Sequence, residues 1–328
     1  MTINRRHLLR AFAAAPLAGL GAAGLTGYVT PAQAAVSTTA VNSAMHRFRI
    51  GDAQVTALLD GHIPLGVDLI TDYDAPQVQK ALAGTMYRLE ENALQIPVNG
   101  YLIELGGRYT LVDTGGAAEV FAPLGGLRGS LAQAGVAPEA IDTILITHMH
   151  PDHTGGLLDS SGAILFPNAE LVISQVEWEF WHDDAILASV PEGSRGFFHM
   201  ARSAVAPYKD RLRLISGEAE AVPGVSAVPL PGHTLGHTGF MLDGGREGLL
   251  IWGDLVHMTA LQFANPDMTI AFDADPAQTA ASRRQMMDRA AADNLLVTGM
   301  HLDFPGLGQV KRQGDAYRYQ SAPWQFGL

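Results

Sequence analysis

Short runs of β-branched and aliphatic residues recur along most of the chain and predict β-strands. Each run is bounded by the glycine, proline, asparagine and aspartate residues that favour turns. The predicted strands cover residues 54–59, 100–105, 109–112, 143–146, 171–174, 239–242, 249–252 and 295–298. Strands therefore contribute to both halves of the sequence.

Segments with helical periodicity lie between several of these strands. They cover residues 118–135, 176–189, 196–207 and 276–292. The last is the clearest, because Asp275 is a favourable N-cap and Pro276 takes the first helical position. No internal repeat or long linker interrupts the alternation, so residues 35–328 are predicted to form one α/β domain in which helices cover two packed sheets.

The amino terminus differs in composition from the rest. Residues 1–34 begin with a basic segment containing the pair Arg5-Arg6, continue with an apolar stretch, and end in Pro-Ala-Gln-Ala. The arginine pair resembles a twin-arginine export signal, which predicts cleavage near Ala34 and a periplasmic or secreted protein. An uncleaved membrane anchor is the alternative, but alanine and glycine insert weakly and Pro16 interrupts the stretch.

Charge and cysteine content narrow the possible functions. Hydrophobic residues make up 47% of the chain, which is enough for a large core. Three of the 21 basic residues lie in the first 34 positions, which hold no acid, so 18 basic residues face 33 acidic ones in the remainder, a net charge of −15. Such a body repels nucleic acid and anionic membranes. Because the chain has no cysteine, any transition metal must be bound by histidine and carboxylate.

The strongest motif is H-x-H-x-D-H, directly after one of the predicted strands. In an extended chain the side chains of His148 and His150 point to the same side, where they can bind one ion. Pro151 then ends the strand, so Asp152 and His153 point elsewhere, toward a second ion about 3.5 Å away in a typical two-metal site. A solvated polar loop is the alternative, but this spacing rarely arises by chance.

The motif resembles that of metallo-β-lactamase-fold hydrolases, and the family's other ligand positions are also filled. The sequence GHTLGH at 232–237 matches the family's G-H-T-x-G-H, Asp254 follows a glycine as in its G-D motif, and His301 matches its last histidine. The resemblance covers roughly residues 45–320. It implies an αββα sandwich of two mixed β-sheets flanked by helices, with the site along one edge of the sheets.

The resemblance also implies which residue binds which ion. One ion is assigned to His148, His150 and His233, the other to Asp152, His153 and His301, and Asp254 bridges both together with a hydroxide. Two divalent ions lower the pKa of a bridging water and polarise the substrate, so no side-chain nucleophile is needed. Asp152 is expected to orient that water and to pass a proton to the leaving group. Zinc suits these ligands best, although manganese, iron or cobalt would also fit.

Two further residues are expected to support the ligands. His237, the second histidine of the GHTLGH motif, is expected to stabilise its loop by hydrogen bonding and not to bind metal. Asp113 lies in a D-T-G turn that resembles the family's, where the aspartate usually contacts a ligand; a plain turn aspartate is the alternative.

Several stretches outside the ligand motifs resemble the methyl parathion hydrolase branch, whose members also act on aryl esters and lactones. They cover residues 147–156, 179–181, 196–198, 260–263 and 301–308. By this resemblance, Phe121, Trp181 and Phe197 form an aromatic pocket for an aryl leaving group. The resemblance also favours a homodimer.

The chain departs from that branch at two pocket positions. Its efficient phosphotriesterases have an apolar residue in place of His257 and a smaller aliphatic residue in place of Phe272. These rings suit a planar ester or lactone better than a bulky tetrahedral triester. The prediction is therefore an exported dimetal lactonase and arylesterase with incidental organophosphate hydrolysis. The alternatives are a dedicated phosphotriesterase, a thioesterase of the glyoxalase II type and a non-enzymatic zinc-binding protein.

Overall fold

A computed structural model describes residues 44–118 and 123–326, in which fourteen strands form two seven-stranded sheets. The first sheet contains, in spatial order, β1 (Ala44–Ile50), β2 (Ala53–Gly66), β3 (Ala93–Leu105), β4 (Arg108–Val112), β5 (Thr143–Leu145), β6 (Glu170–Ser174) and β7 (Leu212–Ile215). The second contains β8 (Glu220–Val222), β9 (Val225–Pro229), β10 (Thr238–Gly244), β11 (Glu247–Ile251), β12 (Leu296–Thr298), β13 (Gly308–Gln313) and β14 (Ala316–Ser321). Both sheets are mixed, because β4 to β7 and the pair β11–β12 are parallel.

Eight α-helices accompany the sheets within the described residues. They are α1 (Ala75–Leu82), α2 (Leu127–Gln133), α3 (Pro151–Thr154), α4 (Gln175–His182), α5 (Asp184–Ser189), α6 (Arg195–Val205), α7 (Thr259–Gln262) and α8 (Pro276–Asp293). Short 3₁₀ turns cover Val67–Leu69, Pro138–Ala140, Gly155–Leu157, Glu192–Ser194, Ala206–Arg211 and Gly253–Leu255. None of the helices in the described ranges is long and apolar enough to cross a bilayer. The predicted export signal, residues 1–34, lies outside those ranges.

The sheets pack face to face, and each has helices on its outer side. Successive residues of the central strands enter different cores: Leu111 faces the helices α4 and α6, whereas Val112 faces the other sheet. In the second sheet, Leu250 packs under α8 while Ile251 points inward. Because both faces are buried, these strands are continuously hydrophobic instead of alternating. The predicted αββα sandwich of two mixed sheets is confirmed.

The helix predictions were only partly correct. Helix α8 begins as expected, and the Asp275 carboxylate accepts a hydrogen bond of 3.0 Å from the Gln278 amide. The predicted helix 118–135 is wrong: only α2 is helical in its described part, since Gly125 has a φ of 92° and interrupts any helix before it. The segment 176–189 divides at Asp183, whose carboxylate caps the start of α5.

Strand β2 continues seven residues beyond its predicted end. The pairing with β3 shifts register between Leu59 and Gly61, and both strands then project past the sheet as a long hairpin. The apolar residues of this hairpin form a separate small core with α1 and α7. The projecting hairpin thus builds a wall beside the end of the sandwich at which the candidate ligands lie.

Candidate metal centre

The candidate ligands gather at one end of the sandwich, in loops that follow β5, β9, β11 and β12. Two backbone hydrogen bonds connect the two sheets at this end. The Thr238 amide donates to the Thr147 carbonyl and the Asn99 amide to the Met300 carbonyl, both at 2.9 Å. Loops from both halves of the chain are therefore held against each other where the histidines lie.

The H-x-H-x-D-H segment has the conformation that the sequence predicted. His150 is extended, with φ −67° and ψ 153°, and Pro151 starts the single turn α3. That turn redirects Asp152 and His153 away from the direction of His148. The change from extended to helical backbone at one residue separates the segment into two sets of ligands.

The first group of potential ligands contains His148, His150, His233 and Asp254. Their candidate ligand atoms all lie within 4.8 Å of one another. His150 Nδ1 lies 2.9 Å from His148 Nε2 and 3.0 Å from His233 Nε2. Burial lowers the pKa of both His148 and His150 well below its usual range, which favours neutral rings. Converging neutral ring nitrogens offer the lone pairs that a metal ion requires.

The second group contains Asp152, His153, His301 and again Asp254, within the same limit of 4.8 Å. His153 Nε2 lies 3.5 Å from Asp152 Oδ2, and His301 Nε2 lies 3.4 Å from the same oxygen. The other ring nitrogen of His301 contacts the Pro97 carbonyl at 2.8 Å. That contact aims Nε2 at the group.

Asp254 lies at the centre of both groups. The preceding Gly253 has a φ of 58°, and a Cβ there would lie 2.4 Å from the His237 ring, so the G-D motif requires glycine. The Asp254 Oδ2 atom lies 3.1–3.6 Å from the Nε2 atoms of five histidines, namely His148, His153, His233, His257 and His301. Its Oδ1 is buried and makes no hydrogen bond within the described chain. One carboxylate is thus placed to bridge two ions.

The charge balance around the second group favours a bound cation. Burial disfavours a charged ring, but the nearby Asp254, Asp152 and Asp113 carboxylates raise the pKa of His153 well above its usual range. In the absence of metal, a proton on His153 would balance these acids. A divalent ion would supply the positive charge in place of that proton. His153 Nε2 makes no hydrogen bond among the described residues and is therefore available to bind such an ion. The residues present therefore fit two metal ions.

Two buried carboxylates orient the histidine ligands from behind. Asp113 Oδ2 lies 2.7 Å from His153 Nδ1, and Asp113 also accepts hydrogen bonds from the amide and hydroxyl of Thr147. Asp273 Oδ1 lies 2.9 Å from His233 Nδ1. Each contact fixes the ring with Nε2 toward the candidate ion and makes that nitrogen more basic.

His237 has the supporting position expected from the sequence. Its Nδ1 lies 2.9 Å from the Leu230 carbonyl, and its Nε2 accepts a hydrogen bond of 3.0 Å from the Asp254 amide. Both nitrogens are therefore occupied. His237 belongs to neither ligand group and instead holds the backbone of the central carboxylate.

A cavity opens directly over the two groups. It is lined by Ile63, Leu65, Leu124, His150, Pro151, Asp152, Phe197, His233, Asp254, His257, Phe272 and His301. Three predicted pocket residues, Phe197, His257 and Phe272, thus lie on its wall, and the Phe197 and Phe272 rings meet edge to face at 6.4 Å.

The other two predicted pocket residues are not found on that wall. Phe121 lies outside the described residues. Trp181 is fully buried, stands edge-on behind His150 at 5.6 Å, and donates its indole N–H to Glu177. The expectation that Trp181 contacts substrate is therefore corrected: its partner in the core turns the ring away from the cavity.

Sequence reasoning missed the apolar side of the cavity and one supporting acid. Ile63 and Leu65 lie on the unpredicted extension of β2. The sequence signal for this extension was the spacing of the two apolar residues, which are two positions apart as in a strand. Leu124 lies in the segment wrongly predicted as helix. Asp273 lies forty residues from its partner His233, and no local spacing reveals such a pair.

Comparisons with known proteins agree with this geometry. The sequence profile of the metallo-beta-lactamase superfamily matches residues 94–298. An N-acyl homoserine lactonase from Bacillus cereus is 26% identical over 211 residues, which cover 58% of this chain and 76% of the relative. A second N-acyl homoserine lactonase, from a Bacillus species, is 26% identical over 210 residues, with the same coverage.

Two solved structures match most of the chain. The hydrolase AbOPH of the beta lactamase superfamily is 30% identical, with a TM-score of 0.81 over 86% of this chain and 99% of that chain. AidC, a dizinc quorum-quenching lactonase, is 24% identical and matches in fold, with a TM-score of 0.79 over 86% of this chain and 99% of its own. The chain therefore belongs to the metallo-β-lactamase superfamily, as a metal-dependent hydrolase.

Proposed function

We propose that this protein is an exported dimetal hydrolase that opens lactones and cleaves aryl esters, with organophosphate triester hydrolysis as a side activity. The main support is the cavity, which combines two metal-ligand groups at its base with an apolar wall. The N-acyl homoserine lactonases among the relatives support a lactone substrate. A zinc-storage protein would need neither a bridging carboxylate nor such a cavity.

The chemistry follows from the two carboxylates at the base. Two divalent ions held there, zinc in our proposal, would supply a hydroxide nucleophile at neutral pH and polarise the substrate oxygen. Asp254 is buried and central, whereas the Asp152 side chain is 18% exposed and lines the cavity. Asp152 can therefore reach a substrate, orient the nucleophile and carry a proton to the leaving oxygen.

The apolar composition of the wall supports a substrate with an apolar acyl or aryl group. Ile63, Leu65 and Leu124 line the cavity together with Phe197 and Phe272 and can bury an apolar acyl or aryl group. A phosphotriester has a tetrahedral centre with two alkoxy arms and requires more room beside the ions. The resemblance to the methyl parathion hydrolase branch still supports some activity on triesters, and a dedicated phosphotriesterase is the second candidate.

A substrate panel tests this proposal. Purified protein carrying about two ions per chain is expected to hydrolyse lactones and aryl esters with kcat/KM at least about tenfold above thioesters and phosphotriesters. Removal of the ions with a chelator should abolish all of these activities, and added zinc should restore them. A phosphotriester as the best substrate would favour the second candidate. Full activity with at most one ion per chain would exclude the two-ion mechanism.

Export makes a separate prediction. If residues 1–34 are a twin-arginine signal, the protein should accumulate in the periplasm or the medium and begin just after Ala34. Cell fractionation followed by amino-terminal sequencing measures both properties. Replacement of Arg5 and Arg6 by lysine is the matched control and should retain the precursor in the cytoplasm. Mature protein that still begins at Met1 would contradict the proposal.

We also propose that the protein assembles as a homodimer.

A further inference from the structure

Glu177 is a buried carboxylate near the metal centre that belongs to neither ligand group. It lies on α4 and is inaccessible to solvent, and burial raises the pKa of its carboxyl. Four hydrogen bonds to the carboxylate offset part of the cost of burying it. Oε1 accepts from the Met149 amide at 2.8 Å and the Trp181 indole at 2.6 Å, while Oε2 accepts from the Thr234 hydroxyl at 2.6 Å and the Gly236 amide at 3.1 Å. The acceptor capacity of the carboxylate is therefore filled.

Three of the four donors belong to the two loops that carry the histidines of the first ligand group. Met149 lies between His148 and His150, and Thr234 directly follows His233. One oxygen therefore binds the loop after β5 in the first sheet, and the other binds the loop after β9 in the second sheet. Glu177 connects the two halves of the sandwich beside the three histidines.

The packing around Glu177 leaves little freedom for these loops. A Cβ on Gly236 would lie only 2.1 Å from the Glu177 nitrogen, so the start of α4 and the GHTLGH loop are in direct backbone contact. The Trp181 ring, held by Oε1, lies edge-on against His150. The carboxylate thus fixes the backbone of both loops and, through Trp181, one ligand ring.

We propose that Glu177 is a positioning residue for the ion bound by His148, His150 and His233, and that the second ion does not depend on it. The second group has its own supports, because Asp113 orients His153 and the Pro97 carbonyl orients His301. Among the described residues, none of the four hydrogen bonds of the Glu177 carboxylate reaches Asp152, His153 or His301. This inference rests on the proposed two-ion function.

Glu177→Gln is the sharpest test, with Asp113→Asn as its matched control. Glutamine keeps the size of the side chain, but its amide group faces two donors, so at least one buried N–H loses its partner. We expect Glu177→Gln to weaken zinc binding mainly at the first site, by about 10–100-fold, and Asp113→Asn to do so mainly at the second. Asp113 contacts the second-group ligand His153 directly and reaches the first group only through Thr147. Anomalous scattering from crystals grown at limiting zinc measures the occupancy of each ion separately.

The proposal is supported if Glu177→Gln loses mainly the first ion and Asp113→Asn loses mainly the second. Equal loss of both ions in Glu177→Gln, or no loss, would overturn it. If Glu177→Gln does not fold, Thr234→Val removes a single donor to Oε2 and should lower occupancy of the first ion by a smaller factor, and unchanged occupancy there would also overturn it. A wild-type protein that binds fewer than two ions would instead contradict the proposed function.

Discussion

Asp254→Ala is expected to lower kcat/KM for lactones by on the order of 10³-fold or more, the largest loss of any single substitution in this chain. The Asp254 Oδ2 atom lies within 3.6 Å of five imidazole nitrogens and belongs to both ligand groups. The substitution therefore removes negative charge from both ions at once, whereas loss of one histidine affects one ion. Initial rates at saturating zinc, together with the zinc content of each variant, measure the effect.

His237→Ala is the control for that experiment. His237 touches the central residue only through the Asp254 amide, so its loss should loosen the carboxylate without removing charge. We expect a decrease of about 10–100-fold, as for other groups that orient metal ligands. A larger loss in His237→Ala than in Asp254→Ala would show that Asp254 does not bridge the ions.

The H-x-H-x-D-H part of the ligand groups could be predicted because its information is local. His148 and His150 share a side of an extended chain, Pro151 forces the turn, and each of these effects acts over a few residues. The ends of neighbouring strands then bring Asp254 and His301 to the same edge. Spacing along the chain was sufficient for the H-x-H-x-D-H segment, whereas His233, Asp254 and His301 were assigned by the resemblance to the family.

The second layer of contacts could not be predicted, because it depends on pairs that are distant in sequence. Asp273 meets His233 across 40 residues, and Glu177 meets Thr234 across 57. Trp181 lies on a helix whose sequence is consistent with either a pocket or a core position. Only the hydrogen bond to Glu177, one turn earlier, decides in favour of the core.

The same reasoning explains the errors in the fold. The segment 118–135 contains helix-forming residues, but the left-handed backbone at Gly125 and the Asp60 carboxylate, which accepts hydrogen bonds from the Gly116, Gly125 and Leu127 amides, hold part of it as a loop. Asp60 lies on β2, far from that segment in sequence. A long-range contact therefore overrides the local preference, and the loop places Leu124 on the cavity wall.

His257→Leu is expected to shift substrate preference about 100-fold, because kcat/KM should fall about tenfold for lactones and rise about tenfold for phosphotriesters. His257 lines the cavity, and its ring stacks on His301 at 5.1 Å. Its Nδ1 is buried and makes no hydrogen bond with the described residues, so the ring keeps one unused polar group beside the cavity. Leucine would remove this polar group beside the ions and leave an apolar surface for the alkoxy arms of a triester.

The contact between His257 and Asp254 suggests an alternative role for His257. His257 Nε2 lies 3.1 Å from Asp254 Oδ2, so the ring could act by tuning the bridging carboxylate instead of contacting substrate. In that case both activities should fall together in His257→Leu, and the substrate-contact role would be wrong. Phe272→Leu is the matched control, because it enlarges the same cavity without a contact to Asp254. It should raise triester hydrolysis and lower lactone hydrolysis by only a few fold, about the effect of the lost apolar contact, so it separates the effect of bulk from that of the imidazole.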